Sequence, residues 1–204
     1  MYTCGVFKVS SISKEFPLQN KPHALLRTSL VALFAALMAA GTFIAVPIPV
    51  SPVPVVLQNL FVLLAGLVLG PLMGSAAAGI YLLVGAIGLP VFAGAKGGIA
   101  HFFGPTGGYL FGYVLAALVA GLVAGRPRPE VKTAMWRLVL ATLAGALAIY
   151  IPGLLRLKTV LGADWSKALA LGFVPFVTGD AVKVVIAVVV APRLRRTVAD
   201  KLDA

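Results

Sequence analysis

Apolar residues run in long blocks along this chain, and polar residues are confined mostly to the links between them. Six blocks are long enough, or nearly so, to cross a hydrocarbon core of about 30 Å: residues 29–46, 55–72, 73–91, 107–125, 134–152 and 168–192. The pattern predicts an all-α integral membrane protein with six transmembrane helices. It divides into a polar N-terminal tail over 1–27, a membrane domain over 28–192 and a basic C-terminal tail over 193–204. The second and third blocks meet at Gly70-Pro71-Leu72-Met73-Gly74, a Gly-Pro turn that permits a tight reversal. In the last block Pro175 removes a backbone hydrogen bond and Gly179 adds flexibility, which predicts a locally weakened helix.

Composition supports the membrane class. The 204 residues are 60% hydrophobic and 11% charged, with a mean hydropathy of +1.03. A soluble domain is about 45–50% apolar and about 25% charged. The net charge of +11 raises the question of nucleic acid. The basic residues, however, sit in short clusters between apolar blocks without interleaved aromatics, so no nucleic-acid partner is expected. Clustered Lys and Arg report orientation instead. Lys8, Lys14, Lys21 and Arg27 precede the first block, Arg126, Arg128, Lys132 and Arg137 follow the fourth, and Arg193, Arg195, Arg196 and Lys201 close the chain. With six spans those twelve share one side, against four on the other: Lys96, Arg156, Lys158 and Lys167. The bias puts both termini in the cytoplasm, and the first 27 residues hold no apolar core of signal-peptide length. One cysteine, Cys4, and two distant histidines, His23 and His101, offer no disulfide framework and no metal motif. No cofactor is expected.

Two links on the outer side are more than connectors. Val46–Val56 carries prolines at 47, 49, 52 and 54, which predicts a stiff, extended loop. Gly88–Tyr109 combines apolar and aromatic residues with seven glycines, at 88, 94, 97, 98, 104, 107 and 108. Glycine permits close backbone approach. This loop reads as a lid or pocket wall, or alternatively as a re-entrant segment packed on the helix ends. In the first block Ala32, Ala36 and Ala40 recur every four residues, with Ala35 and Ala39 as a parallel pair. Small residues at that spacing let another helix approach closely, whether from the same chain or from a partner.

The sharpest feature is an acid and a base inside the last block. Asp180 and Lys183 stand three residues apart, so they share a helix face. A charge at the bilayer centre costs roughly 2.5–3.5 kcal/mol on insertion scales. Mutual neutralisation is a poor reason to keep such a pair, because apolar replacement of a buried ion pair is often neutral or stabilising. Intramembrane ionisable groups usually mark a substrate or ion path. The competing reading is an interhelical latch to Gln58, Asn59 or Tyr81, and a smaller share goes to proton or ion coupling. As a binding site, the pair suits a small planar group bearing both N–H and C=O. Gln58, Asn59 and Tyr81 would add amide and hydroxyl bonds, Trp136 and Trp165 would cover an apolar body, and Lys96 would meet an anionic tail or remain a solvated loop lysine. No Ser-His or Cys-His constellation and no paired acidic metal site is present, so an intramembrane enzyme is disfavoured and no catalytic residue is assigned.

Three stretches, 49–74, 81–113 and 174–185, resemble the BioY family: PVSPVPVVLQNLFVLLAGLVLGPLMG, YLLVGAIGLPVFAGAKGGIAHFFGPTGGYLFGY and VPFVTGDAVKVV. These are the biotin-specific substrate-binding (S) components of energy-coupling-factor transporters of prokaryotic plasma membranes. The resemblance runs from about Leu25 to about Pro192 and implies the six-helix S-component fold, with biotin bound near the outer face under the first and third loops. It carries binding roles onto Asp180, Lys183, Lys96, Gln58 and Tyr81. Where relatives have Arg in the glycine loop, Lys96 keeps the charge but loses bidentate geometry. It also implies a transmembrane coupling protein and two ABC-type ATPases as partners, docked on Ala32, Ala36 and Ala40. The chain has no GxxxxGK[ST] of its own, so ATP work would come from those partners. The alternative is a facilitative or ion-coupled carrier working alone or as a homo-oligomer; the absence of a clear internal duplication weakly disfavours it.

Overall fold

The computed structural model describes residues 21–203, apart from 48, 50, 130 and 132. The expectations attached to Cys4, Lys8, Lys14 and Lys132, and to the side chain of Lys21, lie outside the described residues. Seven α-helices are present among them: α1 (Lys21–Phe43), α2 (Gln58–Leu69), α3 (Pro71–Ala86), α4 (Gly107–Ala124), α5 (Met135–Leu161), α6 (Trp165–Gly172) and α7 (Val174–Asp203). Between α1 and α2, strands β1 (Ala45–Val46) and β2 (Val55–Val56) pair antiparallel, and a 3-10 turn covers Ile99–Phe103.

Four helices, α1, α4, α5 and α7, are long and apolar enough to cross a membrane. The second and third blocks give shorter helices than expected, 12 and 16 residues. Gly70 ends α2 at φ 81°, and Pro71 opens α3 in the first turn, where its missing N–H costs nothing. The apolar residues left over from these blocks fold into β2 and into the loop after α3. The Pro-rich loop is pinned at its base. Its ends close as a hairpin through Ala45↔Val56 and Val46↔Val55.

The last block differs most from expectation. It is not one weakened span over 168–192, because the chain breaks at Phe173 into the short α6 and the long α7. Pro175 then falls in the first turn of α7, where it initiates the helix rather than weakening it. Nor does a free basic tail begin at 193. Helix α7 continues to Asp203, and Arg195, one of the basic residues assigned to the tail, is buried. At the other terminus, α1 already begins at Lys21, inside the stretch read as tail.

Helices α2 and α4 form the centre. Ten of the twelve residues of α2 are buried. A Cβ on Gly66 would strike the backbone of Ala117, and one on Gly112 the backbone of Ile149, so glycine sets how closely α2, α4 and α5 approach. Around this centre the outward faces stay apolar, with Ile80, Leu83, Leu140, Leu147, Val185 and Val189 all exposed. Exposed apolar surface on this scale fits lipid as the surrounding medium. On α1 the two alanine registers separate: Ala32, Ala36 and Ala40 are exposed, while Ala35 is buried and Ala39 half-buried.

The bundle has two unlike ends. At one lie the hairpin, the glycine loop and the starts of α2, α4 and α7. At the other lie the α2–α3 turn, the α4–α5 link, the start of α1 and the end of α7.

Candidate functional site

A cavity of about 600 Å³ opens at the hairpin end. That volume is within the usual range for small-molecule sites, about 300–1,000 Å³. The Pro-rich loop contributes Pro47, Pro52, Val53 and Pro54, and the glycine loop contributes Phe92, Ala93, Gly94, Lys96, His101 and Pro105. Both loops therefore contribute walls to the pocket.

Local chemistry shapes the glycine loop. Phe92 and Lys96 exchange two backbone hydrogen bonds (2.8 and 3.1 Å), closing a tight turn with Gly94 at φ 78° and Ala95 at φ 56°. This turn sets the exposed Lys96 at the rim. Phe92 occupies the place a Cβ on Gly85 would take, and its ring meets Tyr81 and Phe102 edge-on, each at 5.7 Å. The base of the loop is tied down at one atom, since the Val91 carbonyl accepts from the hydroxyls of Thr42 (2.8 Å) and Tyr81 (3.1 Å). Helices α1 and α3 thus hold the loop together.

The polar side of the cavity is built on α7, α5 and α2. Lys183 Nζ donates to Asp180 Oδ1 at 2.6 Å, and the Tyr150 hydroxyl donates to Asp180 Oδ2. Both carboxylate oxygens are engaged, and Asp180 has its charge balanced in place. Lys183 is only 6% exposed, yet it lines the cavity together with Tyr150, whereas Asp180 is not among the lining residues. The acid stands behind the base and the phenol and aims both. On α2, Gln58 and Asn59 also line the cavity. Gln58 Nε2 and Asn59 Oδ1 are buried with no hydrogen-bond partner among the described residues, an unused donor beside an unused acceptor. Buried polar atoms left unpaired are costly, so a ligand that pairs both gains there.

The sequence-derived candidates divide accordingly. Lys183, Lys96, Gln58 and Asn59 line one cavity, and Asp180 is bonded to its wall. Tyr81 does not line it; fully buried, it acts one layer back through Val91. The two tryptophans are misplaced as ligand covers. Trp136 is 66% exposed in the first turn of α5, towards the opposite end, and Trp165 lies under Lys158 Nζ, 4.6 Å from its ring centroid. The aromatic lining comes instead from Phe92, Tyr109, Tyr113, Tyr150 and Phe176. A signal for part of this existed. Tyr109 and Tyr113 are four apart on one face of an apolar helix, and a buried phenol needs a partner or a polar cavity. Tyr109 finds its partner in Gly172 O at 2.9 Å, which also anchors the break between α6 and α7.

No cluster of three or more His, Cys, Asp or Glu side chains able to hold a metal ion occurs among the described residues. What the arrangement offers is recognition. A paired cation, a phenol and two amides face an aromatic enclosure, with a second cation at the rim.

The family model of the BioY family matches residues 15–200. "Probable biotin transporter BioY" of Pyrococcus horikoshii is 47% identical over 167 residues, 82% of this chain and 94% of that protein. "Biotin transporter BioY" of Thermotoga maritima is 43% identical over 164 residues, 80% of this chain and 92% of that one. Among solved structures, the S-component for biotin from an ECF-type ABC transporter superimposes with a TM-score of 0.78 at 28% identity, covering 86% of this chain and 94% of that one. The chain belongs to the BioY family.

Proposed function

We propose that this BioY-family chain binds biotin in the cavity at the hairpin end and is the substrate-binding membrane component of a biotin uptake system. The observation that carries the reading is the cavity's polar wall: Lys183 held by Asp180 and Tyr150, beside the unpaired amide atoms of Gln58 and Asn59. Biotin's ureido ring supplies two N–H groups and one C=O, the complement of a wall that carries both free donors and free acceptors. Its ring system and chain fit the enclosure of Phe92, Tyr109, Tyr113 and Phe176. Lys183 donates to a ligand oxygen, Gln58 and Asn59 pair with the ureido group, and Asp180 fixes Lys183 and Tyr150 from behind. Lys96 attracts the carboxylate at the mouth. Tyr81 contributes by holding the loop.

In this reading six apolar helices, α1 to α5 and α7, cross the bilayer, and α6 lies at the outer surface. Both termini face the cytoplasm, as the basic bias requires. The exposed face of Ala32, Ala36 and Ala40 on α1 receives a transmembrane coupling protein, which links the chain to two ABC-type ATPases.

Titration of the purified full-length protein with biotin tests the first claim, with saturable one-site binding expected; heat flow no different from buffer alone would sink it. Uptake of labelled biotin in cells with and without the coupling protein and ATPases tests the second. Undiminished accumulation without them would make the chain a solitary carrier.

A further inference from the structure

The end of the bundle opposite the cavity holds a second built feature. A groove of about 960 Å³ lies between the start of α1, the α2–α3 turn, the α4–α5 link and the end of α7. Three guanidinium-bearing residues line it: Arg27 from α1, and Arg126 and Arg128 from the link. Among the described residues no acidic side chain lines it; Asp200, next to the wall residue Ala199, is exposed and is not part of the lining. Glu130 lies outside the described residues. The remaining wall is apolar and includes Leu72, Met73 and Val131.

We propose that this groove binds the headgroup of an anionic phospholipid. Guanidinium groups pair with phosphate oxygens, often in bidentate fashion, and three of them with no lining carboxylate among the described residues favour a negatively charged occupant. The apolar continuation selects a lipid over a soluble anion. Leu72 is 67% exposed at the groove and begins a stripe along α3 through Ala76, Ile80 and Leu83 to Ile87 at its C-cap, all exposed and apolar. These positions, three or four apart, share one helix face. A headgroup in the groove would therefore lay an acyl chain along α3. Basic pockets among helix ends on the cytoplasmic side are suited to anionic headgroups. The proposal needs the chain to sit in a membrane but not that the cavity binds biotin.

The test is native mass spectrometry of the full chain released from nanodiscs of mixed phosphatidylcholine and phosphatidylglycerol. The wild type should retain phosphatidylglycerol in preference to phosphatidylcholine. The double variant Arg126→Gln/Arg128→Gln should lose that preference by about thirtyfold, while Arg193→Gln, an exposed arginine outside the groove, should keep it. Leu72→Asn should weaken retention of the diacyl lipid and leave a short-chain phosphatidylglycerol unaffected. Equal retention by the double variant and the wild type would overturn the proposal. So would displacement of the lipid by inorganic phosphate or glycerol phosphate at millimolar concentration, which would make the site one for free anions. Circular dichroism of the double variant establishes that it is folded, so loss of lipid reports the groove.

Discussion

Helix α7 buries two cations twelve residues apart, Lys183 and Arg195, at 6% and 4% exposure. Their surroundings differ in kind. Lys183 meets a carboxylate, Asp180, whose other oxygen takes the Tyr150 hydroxyl, and its side chain borders a cavity of about 600 Å³. Arg195 meets no carboxylate among the described residues. Its fork donates to backbone carbonyls at two helix ends, Leu67 of α2 and Ala124 and Gly125 at the close of α4, the last two at 3.3 and 3.0 Å. Arg137 adds a bond to Val123 O at 2.6 Å. Those carbonyls have no partner within their own helices and carry partial negative charge, so a guanidinium there caps two helices at once. Arg195 donates from both terminal nitrogens to the protein's own carbonyls, has no partner for Nε among the described residues and lines a pocket of only about 160 Å³; Lys183, paired to a carboxylate, faces the large cavity. Burial and charge are alike for the two cations; what differs is the partner type and the size of the adjoining space.

Four experiments can break or sharpen that contrast. Lys183→Met keeps side-chain length and removes the charge. Loss of one member of a buried charged pair costs about 2–5 kcal/mol, so the biotin Kd by isothermal titration should rise about hundredfold. A rise below about threefold would return Asp180 and Lys183 to the role of an interhelical latch. Arg195→Met should do the reverse. Stability against thermal unfolding in detergent should fall by about 2 kcal/mol, as buried carbonyls lose their donor, while the Kd of the folded fraction stays unchanged. If affinity fell as steeply as for Lys183→Met, the two cations would not be separable.

Tyr150→Phe removes one of the two donors that orient Asp180. About 1 kcal/mol is expected, a fivefold rise in Kd, and an unchanged Kd would mean that Lys183 alone holds the acid. Lys96→Gln should have the smallest effect, about twofold to threefold at low ionic strength and lost at high salt, because its charge is exposed and screened. A large, salt-independent effect would move Lys96 from the rim to direct contact with ligand.

The contrast also marks what could be read in advance. Asp180 and Lys183 stood out because both charges interrupt an apolar block, and three-residue spacing put them on one helix face. Gln58 and Asn59 were legible for the same reason, as amides at the head of an apolar run. Arg195 was misread as a tail charge because Pro192 and the following basic residues look like a stop signal; the helix passes through that proline and ends at Asp203. Trp136 and Trp165 were misassigned because residue type says nothing of position along the bundle. Tyr81 lay one layer deeper than expected: Phe92 folds back onto Gly85, packs edge-on against Tyr81 and itself lines the cavity.

Local patterning determined the class of this protein, its apolar helices, the charged pair and the two loops that wall the cavity. These depend on hydropathy, helical spacing and the rigidity or freedom of Pro and Gly, all carried by neighbouring residues. Contacts between distant segments decided the rest: which aromatics line the cavity, that Tyr150 completes the Asp180–Lys183 pair from 30 residues away in sequence, and that Arg195 caps helices more than 70 residues upstream. Such partners are selected by where helix ends and side chains meet in space, a property of the packed bundle and not of any stretch within it.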